Sequence, residues 1–451
     1  MIAAGPGEWR AALVEAGAAV ELYVERGEGA ETGSIHLGRV TRRLPALAAV
    51  LVDIGGDRPV FLPDRDTLPR SRGLDEGERI VVQIRREAQG GKSARGTMRF
   101  VLIGRFVALH LGDPGLKGGE ALAPADAIRL LAAVGLAGTE SAAGLRLVGT
   151  DAPPFDTLLA EATGLTRRWQ GIRDRAAERD PPARLDPPAT FAAALAGAIP
   201  ATPDAVVVDD PAAVLELRMA FAGAAVEHRA EALFSVDLDA LFDQALSPTI
   251  ALAGGGAVHI ETTRAAVLID VDSGSPAGGS PDDIGLAADL AAAPVIARQM
   301  RLRNLGGGIV IDFIGLDPPR LRERVRAALA EALAPDPVPT QVLGWTRLGH
   351  LELVRPRRRR PLAEALGERN AEGVLVKSAV TVALEALRAV RRAARVEPGR
   401  NWGLAVAPEV AVVLSGPAAA ARGALERQLA RGLAVNAEPG RPRERFEIVR
   451  R

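Results

Sequence analysis

Short apolar runs separated by glycine, proline and acidic residues fill the first hundred positions of the chain. AAVELYVE at residues 18 to 25 predicts a strand, and a glycine-rich turn leads on to SIHLGRVTRRL, AAVLVDIGG and RPVFLP. Closely spaced runs of Val, Ile and Leu, each ended by turn-forming residues, predict a small antiparallel barrel. IVVQIRREAQGGKSARGTMRF then runs from a strand into a loop that carries Arg85, Arg86, Lys92, Arg95 and Arg99 against one acid, Glu87. From about residue 121 to 202 the pattern turns helical and rich in Ala and Leu, broken by Gly149, Pro153, Pro154 and the proline cluster RDPPARLDPPATF. This stretch predicts a separate, smaller module.

The second half alternates more regularly. AVVVDDPAAVLELRMAFAG predicts a buried strand, an Asp/Pro helix start and a helix. AVHIETTRAAVLIDVDSG supplies two strands, and LAADLAAAPVIARQMRLRNLGGG a long helix closed by glycines. GIVIDFIG, residues 308 to 315, is apolar enough to predict a strand buried on both faces. After Pro318 and Pro319, a helix places Leu321, Val325, Leu329 and Leu333 on one face, and TQVLGWTRL returns as a strand. That order predicts an α/β layer with a right-handed crossover. The run RPRRRRP precedes a last unit of alternating helix and strand.

Composition narrows the function classes. With 451 residues, 48% of them hydrophobic, the chain divides into several domains. Fifty-six basic and 56 acidic side chains cancel, so any nucleic-acid face has to be local. The lack of cysteine excludes disulfides, thiolate zinc sites and cysteine nucleophiles, and the five histidines (His36, His110, His228, His259, His350) are scattered. No stretch is apolar for the length of a membrane span, so a soluble, cytoplasmic protein is expected. The glycine clusters at 254 to 256 and 306 to 308 lack the lysine of a phosphate-binding loop.

The polar residues that stand out in apolar context are Asp270, Asp272 and Asp312. Strand alternation points Asp270 and Asp272 to one side, and Asp312 sits inside an otherwise apolar strand. A buried carboxylate costs several kcal/mol unless paired or metal-bound, which favours a hard, oxygen-ligated cation such as Mg2+. The competing reading is that acids at strand ends cap helices and hold loops. Lys92 with its arginine neighbours suits phosphate contacts, and Phe61 is either a stacking platform for a base or a core residue. The arginines at 357 to 360 are either a solvated linker or a contact to RNA backbone.

IARQMRLRNLGGGIVIDFI, residues 296 to 314, together with VLIDVDSG at 267 to 274, resembles the ribonuclease E/G family. GSIHLGRVTRRLPALAAVLVDIGGDRPVFLP, the GGKSAR loop, TRLGHLEL at 346 to 353 and the C-terminal LAVAPEVAVVL through RFEIV extend the resemblance over nearly the whole chain. It implies an α/β multidomain fold. Residues 1–27 and 203–250 would form a split RNase H-like domain, 28–98 an inserted OB-type RNA-binding barrel, and 99–202 a 5′-sensor-like region. Residues 251–354 would form a DNase I-like catalytic domain, 355–372 a basic linker, and 373–451 a small α+β C-terminal domain. Asp270 and Asp312, with Asp272 beside them, are implied as magnesium ligands, and Lys92, Phe61, Arg95, Gly104 and Arg347 as RNA contacts. The implied reaction is magnesium-dependent hydrolysis of single-stranded RNA to 5′-phosphate products, by a homodimer.

The chain departs from the family pattern at several points. Asp272 replaces an Asn, Arg264 a Glu, and AADLA at 287 to 291 an Asn- and Glu-bearing segment. Val148 and Gly149 stand where an Arg-Thr pair holds a 5′-monophosphate, and Leu51 replaces a second barrel aromatic. The two-cysteine zinc link is missing. These changes set an active endoribonuclease with little dependence on the 5′ end against a catalytically weak or inactive RNA-binding member.

Overall fold

In the strand Ala49–Asp53, Val50 and Val52 are fully buried and Leu51 between them faces outward, the alternation of a sheet with one covered face. Ile35–Leu44, Val60–Pro63, Arg95–Thr97 and Arg79–Arg86 complete a sheet of five strands that closes on itself because Ile35–Leu44 pairs with Arg79–Arg86. Val40, Val50, Val60, Leu62, Val82 and Ile84 fill the interior. Gly38 is required at the closure, since a Cβ there would meet the carbonyl of Asp53 at 2.7 Å. The barrel is of the OB type in strand number and closure.

The computed structural model describes residues 1–26, 33–56, 58–68, 73–86, 93–104, 106–119, 122–135, 143–147, 154–186, 190–199, 202–230, 234–263, 265–274, 280–316, 318–357 and 359–450. It divides into two units, Glu28–Ala189 and a host formed by Met1–Gly27 with Thr190–Arg451. The first unit contains the barrel and a four-stranded sheet, in order Gly115–Lys117, Ala143–Leu147, Val107–Leu111 and Val101–Ile103. Helices Pro124–Gly135 and Phe155–Glu178 belong with this sheet, and Trp169 packs on Phe100 with ring centroids 4.9 Å apart. The stretch predicted as wholly helical is therefore mixed.

Among the described residues the host unit carries four sheets. The first is a five-stranded sheet in which Ile2–Ala4, Trp9–Glu15 and Ala18–Glu25 form an antiparallel meander. Ala205–Val208 and Ala225–His228 extend it in parallel fashion. A buried ionic network joins this sheet to the C-terminal helix Ala379–Val396. Glu8 Oε1 accepts from Arg10 Nε at 2.8 Å and Arg388 Nη1 at 3.0 Å, and Glu8 Oε2 accepts from Arg26 Nε at 2.7 Å. Arg10 also reaches Glu385 at 2.9 Å, while Arg391 binds Asp209 at 2.5 Å and the carbonyl of Ala4. That helix packs with Trp402–Val406, Pro408–Ser415 and Ala419–Leu429 around Leu387, Val390, Leu404 and Leu414.

The six-stranded sheet runs Thr249–Ala251, Ala257–Thr262, Ala266–Asp272, Gly307–Asp312, Leu351–Arg355, Gln341–Trp345. Only Ala266–Asp272 and Gly307–Asp312 are parallel, and the helix Pro281–Leu302 connects them as predicted. That helix and Pro319–Leu333 cover one face, burying Ile269, Ile296, Met300, Ile311, Val325 and Leu329. The helix end differs from expectation. Asn304, at φ 52°, terminates it, with the amide of Leu305 donating to the carbonyl of Met300, because Asn tolerates the left-handed region that ends helices.

One sequence expectation is corrected here. Gly307–Asp312 is buried on one face only, since Gly308 and Asp312 look outward from the sheet. Within the arginine run, Arg355, Arg357 and Arg359 are tied to the protein itself. Arg355 is buried against Asp336 at 2.8 Å, Arg357 donates to Gly306 O at 3.0 Å, and Arg359 binds Glu21 at 3.0 Å over the ring of Tyr23. These three guanidiniums find acceptors because strand edges and helix ends leave carbonyls and acids facing them. Among the described residues, no helix is long and apolar enough to cross a membrane.

Candidate active site

Parallel pairing sets Asp270 directly beside Asp312, the last pair in the register of these two strands. Side chains at paired positions share a face, and this face is the one the helices leave open. The Asp312 side chain is 58% exposed and Asp270 is exposed as well. The burial penalty that singled out these acids in the sequence is thus absent, and what distinguishes them is their adjacency at the C-terminal end of a parallel strand pair. Such strand ends are where α/β sheets place ligands. Two like charges at neighbouring-strand distance repel, and a cation between them relieves that repulsion.

Asp272 lies on the same face, two residues on, but its Oδ1 accepts the amide of Gly274 at 2.8 Å and so holds the following turn. His350 Nε2 lies 3.7 Å from Asp312 Oδ2. Its backbone is fixed by Thr346, whose Oγ1 accepts the His350 amide at 3.1 Å and whose N–H donates to the His350 carbonyl at 2.8 Å. Arg347 is exposed at the tip of that turn.

Asp289 was not picked out from the sequence. It sits on the helix Pro281–Leu302, completely buried, with Oδ1 accepting the amide of Ile314 at 3.0 Å. Its Oδ2 is buried without a hydrogen-bond partner. Burial pushes this carboxyl up to about 7, the Ile314 hydrogen bond opposes the rise, and the charge of Asp312 adds to it. The only signal in the sequence was one acid in the alanine-rich stretch LAADLAAAP.

This donor set fits a hard divalent cation. Two carboxylates with room for water is a common protein contribution to bound Mg2+. The partnerless buried oxygen of Asp289, near Asp312, adds uncompensated acid to the neighbourhood. Among the described residues no three acidic or imidazole side chains group closely enough to hold an ion by themselves, so water has to complete the shell.

In the barrel, register aligns Arg42, Leu51, Phe61 and Arg95 across four strands. Phe61 and Leu51 are half-buried on the outer wall, and Arg95 binds Asp66 at 2.8 Å. The wall therefore presents an apolar strip with a cation at each end. Gly104 forms a turn in which a Cβ would meet the carbonyl of Val107 at 2.8 Å, and Glu161 accepts the amides of Phe106 and Val107 at 2.8 and 3.0 Å. Lys92, Val148, Gly149 and Arg264 lie outside the described residues.

Residues 145–358, which contain all three site aspartates, match the model of the Ribonuclease E/G family. The chain is 28% identical to Ribonuclease G of Escherichia coli over 480 residues, covering 98% of both chains. It is also 28% identical to Ribonuclease G of Haemophilus influenzae, over 91% of this chain and 90% of that one. With Ribonuclease E of Synechocystis sp. the identity is 29%, over 77% of this chain and 55% of that protein. The likeness runs through both the barrel and the acid-bearing sheet, so the chain is similar to ribonucleases G and E over nearly its whole length.

Proposed function

We propose that this protein is an endoribonuclease that hydrolyses single-stranded RNA to 5′-phosphate products at a magnesium site held by Asp270 and Asp312. The observation that carries this reading is the matched register of these two acids at one end of a parallel strand pair, in a chain related to ribonucleases over nearly its full length. When bound, the ion polarises a phosphodiester oxygen and lowers the pKa of a water. Asp270 and Asp312 anchor it, Asp272 steadies the adjoining turn, and Arg347 offers a cation to a neighbouring phosphate.

On the same reading the five-stranded sheet of the host is RNase H-like and the six-stranded one DNase I-like. The barrel wall receives RNA, with a base stacked on Phe61 and phosphates near Lys92, Arg42 and Arg95. Leu268, Leu343 and Val354, exposed on the open sheet face, suit a homodimer contact, which light scattering tests. In the turn at Gly104, Glu161 already occupies two amides that would otherwise be open to an anion. That supports cleavage with little dependence on the 5′ end.

The test is a cleavage assay with magnesium on unstructured RNA carrying a 5′-monophosphate or a 5′-hydroxyl. The parent is expected to cut both at similar rates, and Asp270→Asn and Asp312→Asn to bind RNA without cutting it. Undiminished cleavage by both variants refutes the site, and a strong monophosphate preference refutes the reading of the 5′ end.

A further inference from the structure

The strand Gly307–Asp312 stops pairing where its acid stands. Asp312 is the last partner of Asp270 on one side, and Ile311 the last partner of Leu351 on the other. The chain beyond carries backbone amides that the sheet no longer satisfies, and such groups need another acceptor. The helix Pro281–Leu302 supplies one, since Asp289 Oδ1 accepts the amide of Ile314 at 3.0 Å. One helical turn earlier, Gly285 lets the same helix come close to this segment. A Cβ at Gly285 would meet Ile314 Cγ2 at 2.9 Å and Leu316 Cδ2 at 3.2 Å. Positions four apart on one helix face therefore grip the chain just past Asp312, one by contact and one by a hydrogen bond.

A carboxyl is a costly way to accept that single bond. Asp289 is completely buried, and its Oδ2 is buried without a hydrogen-bond partner. An unpaired polar atom in the interior opposes folding, so this half of the side chain burdens the fold instead of supporting it. Local departures of this kind are characteristic of residues that hold a functional site in shape.

We propose that Asp289 is a positioning residue, which fixes the backbone just past Asp312 through the Ile314 amide and so sets the direction of the Asp312 carboxylate beside Asp270. The acceptor oxygen does this, and the charge of the carboxyl is not needed for it. The inference rests on the reading of Asp270 and Asp312 as the catalytic pair.

Asp289→Ala removes the acceptor and the unpaired oxygen together. Misplacing a group by about 1 Å can cost on the order of a hundredfold in rate, so kcat on unstructured RNA is expected to fall about ten- to a hundredfold, with KM kept within about twofold. At pH 7 the Tm should stay within about 3 °C of the parent, because the lost hydrogen bond and the relieved burial of Oδ2 offset each other. Asp289→Asn keeps the acceptor and is expected to restore kcat to within about threefold of the parent. Deuterium exchange of the Ile314 amide, read in the metal-free protein, should quicken at least about tenfold in Asp289→Ala and stay slow in Asp289→Asn. A parent-like kcat in Asp289→Ala, or an Asn variant as slow as the Ala variant, overturns the inference and leaves the aspartate pair standing. A parent that cuts no RNA overturns the ribonuclease reading instead. The Ile314 amide then decides alone, and parent-like exchange in Asp289→Ala overturns the inference as well.

Discussion

Glu8→Gln removes one negative charge from the centre of the network that ties the N-terminal sheet to the helix Ala379–Val396. The Glu8 side chain is 1% exposed and faces three guanidiniums, of which Arg10 and Arg388 are equally buried. Arg10 retains Glu385 at 2.9 Å, but the next acid for Arg388 is Asp239 at 3.5 Å, so the substitution leaves buried positive charge short of a partner. Breaking a buried ion pair on one side costs about 3–5 kcal/mol. For a unit of this size that lowers Tm by on the order of 10 °C. Burial alone would raise the Glu8 carboxyl from its ordinary 4.5, but Arg10, Arg26 and Arg388 more than reverse this and hold it far below. A depressed acid contributes stability that is complete above its unfolded pKa and is lost as pH falls. The Tm gap between parent and variant should therefore be full at pH 7 and narrow steadily below about pH 4.5. Thermal melts by circular dichroism across pH 3 to 7 measure this. A variant within about 2 °C of the parent at pH 7, or a gap that widens in acid, would refute the reasoning.

Three further outcomes are expected. Asp289→Asn should stabilise the metal-free protein by a few kcal/mol at pH 8 and be neutral at pH 4. A carboxyl raised from 3.8 to about 7 loses stability as pH climbs through that window, and melting curves at the two pH values decide it. Phe61→Ala should weaken binding of a fluorescent single-stranded RNA roughly ten- to a hundredfold, with Tm little changed because the ring is half-buried. Arg359→Ala should lower Tm by a few degrees through loss of Glu21 and the Tyr23 ring, while RNA affinity stays within about twofold. An anisotropy titration showing a large loss of RNA binding would contradict its structural role.

The elements around Asp270 and Asp312 were legible because each announces itself locally. A β-branched run ends in acid, a capped helix follows, and a second apolar run returns. The exposure of the two acids was not legible, since GIVIDFI reads the same whether one face or both are covered. The placement of His350 beside Asp312 depends on strand register, a relation between separate segments of the chain. Asp289 required knowing which way one helix turns. Nothing local marks Glu8 and Arg10 as a buried network, because their partners on the helix Ala379–Val396 lie far away in sequence. The contacts of Arg355, Arg357 and Arg359 were not legible for the same reason. Their acceptors are carbonyls and acids from distant segments, and composition carries no trace of them.

The insertion of Glu28–Ala189 into its host orders events as the chain is made. Ile2 pairs with Val208, across the whole inserted unit, and Glu8 waits 380 residues for Arg388. The insert, whose barrel strands are near neighbours in sequence, can be finished while the first sheet still lacks its parallel strands. For that interval the meander exposes an unpaired edge and a carboxylate without its final counter-charges, so the host is the slow and aggregation-sensitive part of the molecule during synthesis. A finished insert shortens the effective loop the host must close, and the interrupted topology thereby limits its own kinetic cost.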